Sequence, residues 1–391
     1  MKNAHIAYFG LPHHPHVNPT LPIIAALVRR GYRVTYVTSD LFAPRVVALG
    51  AEVLSCPRFL DVVSETTKTG DGKNAFCHLA IRTLAEVTPF YEGNRPDLLL
   101  CDFVCLAGRI LANRWKIPTI QTSPHFGYSR GYFDQQMADS PFRKAILDAS
   151  QLADRFLTRH GIDYSDFLFH REKLNMHFFP RVFEPCAEAV DSSRFYAGRC
   201  AGEQPYYGDW QRTHHDGRPI ALISTSTTYV EGIDHLKLCI EALADLSWHV
   251  VISVGYSGDT SHLPPLPPHF EVVQREQYIK ILRYASLFVC LGGTISASES
   301  AYHGVPMIIT SYDFPEQVYF GEIFERLGLA VHLRKADMTA DNLRASAIRI
   351  SEDVGMQERV RELQRMTLRE PGGEETANRI EEFLEGYGGS R

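Results

Sequence analysis

The strongest constraint on the fold is an alternation of short apolar runs with longer segments of helical period, and it occurs twice along the chain. The first series contains a strand-like run at 5–10 (HIAYFG), a helical segment at 20–31 and a second strand at 32–38. The second series begins at 219–227 and includes the apolar run at 287–293. Strands that alternate with helices form parallel sheets covered by those helices. The sequence therefore predicts an α/β protein with two doubly wound, Rossmann-like domains.

The domain boundaries follow from the chain length and from one polar segment. A chain of 391 residues exceeds a single ordinary core, and its length favours two domains. The glycine-rich polar stretch around 198–219 has no apolar period, which is typical of a linker. The C-terminal segment has helical period, with Ala377, Ile380 and Leu384 on its apolar face. We expect a first domain at 1–205, a linker at 206–217, a second domain at 218–371 and a terminal helix at 372–391.

Composition and charge exclude several classes of function. The chain has 40 Lys and Arg residues against 46 Asp and Glu, and it has no Lys/Arg-rich run, so we expect no nucleic-acid partner. It has no apolar run long enough to span a bilayer, and its N-terminal apolar stretch is too short for a signal peptide, so we expect no stable membrane insertion. Eight scattered cysteines without a CxxC pair favour a cytoplasmic protein. No GxGxxG follows a predicted strand, which argues against a dinucleotide-dependent oxidoreductase.

Three histidines lie in the loop LPHHPHVNP (11–19), directly after the first predicted strand. Ligands of parallel sheets bind at the carboxyl ends of the strands, so this loop is expected at a binding site. A neutral imidazole can accept a proton from a hydroxyl near pH 7 when a carboxylate orients it, and Asp102 ends the strand PDLLLCD at the same edge. A zinc site would need a fourth ligand that the loop does not supply, so we expect no metal. The residues alone leave open which histidine is the base and which ones cap the helix or satisfy loop carbonyls.

A second candidate site lies in CLGGTISASESAYHGVP (290–306), where glycines end a strand and small hydroxyl residues begin a helix. Free backbone N–H groups and the helix dipole at such a turn favour a diphosphate, although glycine-rich turns also occur without a ligand. Further along, Glu316 and Gln317 place a carboxylate beside an amide, a pair that suits sugar hydroxyls. An ordinary surface loop is the alternative interpretation of these two residues.

The stretch HHPHVNPTLPIIAALVRRGYRVTYVT resembles the opening of the macrolide glycosyltransferases and other natural-product members of nucleotide-sugar-dependent family 1. These enzymes have the GT-B fold, so the resemblance implies two Rossmann-like domains facing a central cleft, the first binding the acceptor and the second the nucleotide sugar. The family pattern H-G-H-V-N-P aligns His14 with the catalytic base, puts Pro15 in place of the glycine and leaves a structural role for His16. Asp102 falls where the family has the aspartate that orients the base.

The same resemblance implies the donor and acceptor contacts. It assigns the ribose hydroxyls to Glu299 and acceptor contacts to His125 and Phe126, within segments that vary in the family. Leu291 replaces the family's diphosphate-binding histidine, which removes one charge-assisted hydrogen bond. The residues implied to bind the donor are Ser226, Thr227, Gly292, Gly293, Thr294, Ser296, Glu299, Glu316 and Gln317.

The resemblance thus implies an inverting glycosyltransferase (a hexosyltransferase) that needs no metal and no cofactor. The expected donor is a UDP- or dTDP-sugar, and the expected acceptor is a hydroxyl of a small, largely apolar natural product such as a macrolide or another polyketide. Three alternatives remain at this stage: a cell-envelope or lipid-precursor glycosyltransferase, a non-hydrolysing nucleotide-sugar epimerase, and a catalytically inactive nucleotide-binding auxiliary protein. The oligomeric state is left open.

Overall fold

The computed structural model describes residues 4–124, 141–162, 169–184, 191–200, 210–212, 216–224, 233–254, 263–274, 278–312 and 315–388. The chain divides into two compact units. Unit 1 comprises Met1–Gly202 together with Glu370–Arg391, and unit 2 comprises Glu203–Arg369. The sequence places the corresponding boundaries at 205 and 371.

Unit 1 is built on a seven-stranded sheet whose strand pairs are all parallel. Its strands are β1 (His5–Phe9), β2 (Arg33–Thr38), β3 (Glu52–Ser55), β4 (Leu98–Asp102), β5 (Thr119–Ser123), β6 (Asn175–His177) and β7 (Arg194–Tyr196). The order in the sheet is β3-β2-β1-β4-β5-β6-β7. The chain therefore leaves β1 in one direction and returns to β4 on its other side. The carboxyl ends of β1 and β4 are neighbours, and this brings the histidine loop and Asp102 to the same place.

The helices of unit 1 cover a sheet whose central strands are buried on both faces, as expected for parallel strands. They are α1 (His14–Val17), α2 (Leu21–Arg29), α3 (Ala43–Val47), α4 (Phe59–Lys68), α5 (Ala75–Gly93), α6 (Leu106–Trp115) and α7 (Pro141–Arg159). The main core lies between the sheet and helices α5 and α6, where Phe9, Tyr91, Leu99 and Leu106 are buried. Burial of these large side chains provides the main stabilisation of unit 1.

Unit 2 repeats this arrangement with six parallel strands. They are β8 (Ile220–Ser224), β9 (His249–Val254), β10 (Phe270–Gln274), β11 (Ala285–Cys290), β12 (Met307–Ser311) and β13 (Ala330–Arg334), in the order β10-β9-β8-β11-β12-β13. The helices are α8 (Ile233–Leu243), α9 (Tyr278–Leu282), α10 (Thr294–His303), α11 (Pro315–Arg326), α12 (Ala340–Glu352) and α13 (Val354–Thr367). The order reverses between β8 and β11, which is where doubly wound sheets bind ligands. The predicted fold class is confirmed.

The C-terminal helix α14 (Gly372–Gly388) belongs to unit 1 and packs on α2. Its apolar face is buried at Ala377, Ile380 and Leu384, the positions that the helical period indicates. At its start, Glu374 pairs with Arg29 and, at 2.7 Å, with Arg30. Across the described ranges, no helix is both long enough and apolar enough to cross a membrane.

Candidate active site

The histidine loop contains a single helical turn, α1, directly after β1. The turn begins at His14, with Pro15 in its first positions, where a missing N–H leaves no intrahelical bond unmade. His13 precedes it in an extended conformation, and its carbonyl accepts the N–H groups of His16 and Val17 at 3.0 Å. All three histidines are buried against the carboxyl edge of the sheet.

Asp102 binds one of these histidines, and it is His16. The Nδ1 atom of His16 lies 2.7 Å from Oδ2 of Asp102, whose side chain is completely buried. The other carboxylate oxygen accepts the N–H of Val104 at 3.1 Å, and the Phe103 ring stacks on the imidazole with a centroid distance of 6.1 Å. An ionised carboxylate only accepts hydrogen bonds, so Nδ1 carries the proton and Nε2 is the basic nitrogen. Asp102 thus selects the tautomer and the ring orientation that a general base requires.

The prediction that Asp102 orients His14 is therefore wrong. The hydrogen bonds of the Asp102 carboxylate go to His16 and Val104, while the His14 ring packs edge-on against Phe42 with centroids 4.7 Å apart. The cause is the helical turn, because each residue of an α-helix is rotated by about 100° from the one before. Two histidines separated by one residue consequently point to nearly opposite sides of α1. The resemblance implies only a structural role for His16, whereas in the structure His16 is the histidine that contacts the Asp102 carboxylate.

A buried hydroxyl network, which sequence reasoning missed, holds this loop in place. The Thr20 hydroxyl donates to the carbonyl of Val17 at 2.7 Å, and the Tyr36 hydroxyl lies 2.9 Å from the Thr20 oxygen. Burial raises the pKa of the Tyr36 phenol, so the phenol stays protonated and donates to Thr20. Tyr8 stacks on Tyr36 with centroids 4.6 Å apart. The end of α1 is therefore tied to β2 through side chains that an apolar strand pattern does not single out.

A hydrophobic cluster lies beside His13. The Phe59 ring faces His13 at a centroid distance of 6.5 Å and stacks on Phe76 at 5.1 Å. The cluster around them contains Leu11, Val62, Leu79 and Val104. The two predicted acceptor residues, His125 and Phe126, lie outside the described residues.

The glycine turn of unit 2 has the geometry of an anion site. After β11, Leu291 is buried, Gly292 has a φ of +75°, and Gly293 caps α10 without a side chain. A Cβ on Gly292 would lie 2.6 Å from the Ile309 side chain, so this position requires glycine both for its φ and for the space. The N–H groups at the start of α10 and the helix dipole can therefore receive an anion without interference from a side chain.

Some of the remaining predicted donor residues make hydrogen bonds in unit 2, some lie on the first turn of α10, and some lie outside the described residues. Glu299 is buried on α10 and accepts a hydrogen bond on Oε2 from the Tyr278 hydroxyl. Gln317 accepts the N–H of Tyr312 at 3.2 Å on Oε1, and its backbone carbonyl lies next to Gly292. The start of α11 is thus brought against the glycine turn. Thr294 is buried and Ser296 partly buried on the first turn of α10, whereas Ser226, Thr227 and the side chain of Glu316 lie outside what the structure describes.

The candidate site of each unit, taken by itself, points to the same class of protein. Unit 1 presents an imidazole held by a buried carboxylate, and unit 2 presents a side-chain-free helix N-terminus for an anion, each at the carboxyl edge of a doubly wound sheet. Within the described ranges, no cluster of three or more His, Cys, Asp or Glu side chains is placed to hold a metal ion. GT-B glycosyltransferases consist of two such units, one that carries the catalytic base and one that carries the phosphate-binding turn.

Comparison with known proteins agrees with this class. The chain is 31% identical over 98% of its length to the NDP-glycosyltransferase YjiC of Bacillus licheniformis, of which it covers 98%. It is 30% identical to the oleandomycin glycosyltransferase of Streptomyces antibioticus, with 97% of this chain and 91% of that protein covered. Residues 237–383 match the family described as erythromycin biosynthesis protein CIII-like, C-terminal domain. The crystal structure of the glycosyltransferase of kitacinnamycin superposes with a TM-score of 0.84 at 30% identity, covering 98% of this chain and all of that one.

The chain therefore belongs to the nucleotide-sugar-dependent natural-product glycosyltransferases of family 1, with the GT-B fold.

Proposed function

We propose that the protein moves a sugar from a UDP- or dTDP-linked donor to a hydroxyl of a small, largely apolar natural product, with inversion at the anomeric carbon. The observation that carries this proposal is the 2.7 Å contact between His16 Nδ1 and Asp102 Oδ2. Seven described cysteines are free thiols, which agrees with a cytoplasmic setting for this reaction.

His16 is the general base in this mechanism. Its Nε2 takes the proton of the acceptor hydroxyl while the hydroxyl oxygen forms a bond to the anomeric carbon. The bond between that carbon and the diphosphate breaks in the same step, and the nucleoside diphosphate leaves with the electron pair. Asp102 balances the positive charge that develops on the imidazole. A single displacement of this kind inverts the anomeric configuration.

The leaving group is stabilised by unit 2. Charge that develops on the diphosphate is met by the N–H groups at the start of α10, which Gly292 and Gly293 leave accessible. Leu291 supplies no hydrogen bond there, so the backbone and the helix dipole carry this task. Glu299 and the Glu316–Gln317 pair are proposed to hold the ribose and the sugar, respectively. This proposal assigns no cofactor and no metal ligand to the chain.

The acceptor class is supported by two observations. The partly buried rings of Phe59 and Phe76 lie beside the histidine loop, and such apolar side chains suit an apolar acceptor better than a charged one. Relatives along the whole chain include a protein named as an oleandomycin glycosyltransferase and one named as a demethyllactenocin mycarosyltransferase. We therefore propose a macrolide or another polyketide as the acceptor, with His125 and Phe126 among its contacts.

Replacement of the two loop histidines tests this proposal. His16→Ala should lower kcat/KM by about 10²–10⁴, because general base catalysis typically contributes this much. Asp102→Asn should lower it through the loss of tautomer control, and both variants should bind the nucleoside diphosphate as the wild type does. His14→Ala is the matched control and should retain turnover. The measurement is transfer from UDP- and dTDP-sugars to a macrolide panel, with calorimetric nucleotide binding and a melting curve for each variant.

Two results would contradict the assignment. Turnover that persists in His16→Ala would remove His16 from the reaction. Loss of turnover in His14→Ala, with a normal melting curve and an active His16→Ala, would restore His14 as the base.

A further inference from the structure

Tyr278 contacts a carboxylate of the donor site, although no sequence motif points to it. It is the first residue of α9, the short helix between β10 and β11, and its hydroxyl donates to Oε2 of Glu299 on α10. Both side chains are buried. The ring is fixed from behind, because Ile281 and Leu282 of the same helix are completely buried in the core of unit 2.

The contact matters because a buried carboxylate is destabilised in its charged form unless donors compensate. A phenol that donates to a carboxylate forms a charge-assisted hydrogen bond, which is stronger than one between neutral groups. A carboxylate has about four acceptor positions on its two oxygens, so one bond to Tyr278 does not exhaust it. Tyr278 therefore holds the Glu299 carboxylate in one rotamer without preventing it from accepting further hydrogen bonds.

We propose that Tyr278 is a positioning residue for nucleotide binding, which orients the Glu299 carboxylate toward the ribose hydroxyls of the donor. This inference rests on the proposed function, in which Glu299 holds the ribose. Tyr278 itself contacts Glu299 and acts through it. Loss of the Tyr278 hydroxyl removes this hydrogen bond and frees the Glu299 carboxylate to adopt other rotamers.

The experiment uses Tyr278→Phe, which keeps the ring and removes only the hydroxyl. We expect the Kd of UDP and dTDP to rise about tenfold, the effect of one hydrogen bond to a charged group. The Kd of the analogues that lack the ribose hydroxyls, 2′,3′-dideoxyuridine diphosphate and 3′-deoxythymidine diphosphate, should be the same for variant and wild type. Kinetically, the donor KM should rise while kcat at saturating donor stays unchanged.

Two controls separate positioning from a general structural effect. Tyr284→Phe removes the same atom from a side chain that is 51% exposed, six residues along the chain, and should leave every Kd unchanged. In a Glu299→Ala background, Tyr278→Phe should have no further effect on UDP affinity, because the side chain through which it acts is gone.

Three outcomes would overturn the inference. The first is an unchanged UDP and dTDP affinity in Tyr278→Phe, and the second is an equal loss for ligands with and without ribose hydroxyls. The third is an additive effect in the Glu299→Ala background. Failure of the proposed function is distinguishable, because the wild-type protein would then bind neither nucleoside diphosphate.

Discussion

At the residue scale, the two neighbouring glycines of the donor turn have different physical requirements. Gly292 has a φ of +75°, and a Cβ there would lie 2.6 Å from Ile309 Cγ2. Gly293 has a φ of −67°, and a Cβ there would meet no atom within 4 Å. Only Gly292 is therefore required by the backbone, while Gly293 is replaceable as far as folding is concerned.

This difference predicts that the same substitution, glycine to alanine, destabilises the protein at one of these positions and not at the other. Gly292→Ala should lower the free energy of unfolding by about 1–3 kcal/mol, because it combines a left-handed conformation with a steric overlap. Gly293→Ala should change it by less than about 0.5 kcal/mol. Urea denaturation of both variants checks the pair. Equal stability of the two would mean that the turn relaxes around Gly292.

Individual residues also show what a sequence motif cannot predict, namely the direction in which each side chain points. The loop sequence indicates a base and Asp102 indicates its partner, but the choice between His14 and His16 depends on the direction of each side chain. That direction is decided by the single turn of α1, which is too short to leave a periodic pattern. Tyr278 and Tyr36 were missed because a tyrosine in an apolar segment is ordinary core composition.

At the element scale, α14 joins unit 1 through an apolar face and through ion pairs at its start. Ile380 is 1% exposed in this contact, whereas the Glu374 side chain that pairs with Arg30 is 62% exposed. Ion pairs of this exposure contribute little in water, so the apolar face should dominate the stability of the contact.

We therefore expect Ile380→Ala to destabilise the protein by about 2–4 kcal/mol through lost burial and a residual cavity. Arg30→Gln should have an effect below about 1 kcal/mol. Denaturation of both variants of the full chain measures the difference. A larger effect from Arg30→Gln would show that the charged contacts, and not the apolar face, hold α14.

At the scale of the whole molecule, buried histidines make stability depend on pH. Burial lowers the pKa of His235 to about 4, and burial also lowers the pKa of His5 and of His332. In the unfolded chain a histidine has a pKa of about 6.5, so between about pH 6.5 and 4 the unfolded state binds more protons than the folded state. The stabilisation is complete above this window and is lost as the pH falls through it. Burial of Glu370 raises its pKa and acts in the opposite direction.

The expected result is a decrease in the free energy of unfolding between pH 7 and pH 4.5, to which His235 contributes up to about 3 kcal/mol. Urea denaturation at the two pH values measures it, and His235→Leu is the control, which should reduce the difference. The same pH dependence in His235→Leu and in the wild type would exclude His235 as its source.

The sequence by itself determined the architecture, because the strand and helix periods are local and repeat along the whole chain. It also determined that the histidine loop, Asp102 and the glycine turn lie at strand ends, and a parallel sheet collects such residues at its carboxyl edge. The histidine loop and Asp102 share this edge in the first sheet, and the glycine turn lies at the corresponding edge of the second. Only the tertiary structure decided which side chains meet there. Asp102 lies 86 positions from His16, and Tyr278 lies 21 positions from Glu299 with β11 between them. Such partners are chosen by side-chain direction and burial in the folded chain, and no local pattern carries that information.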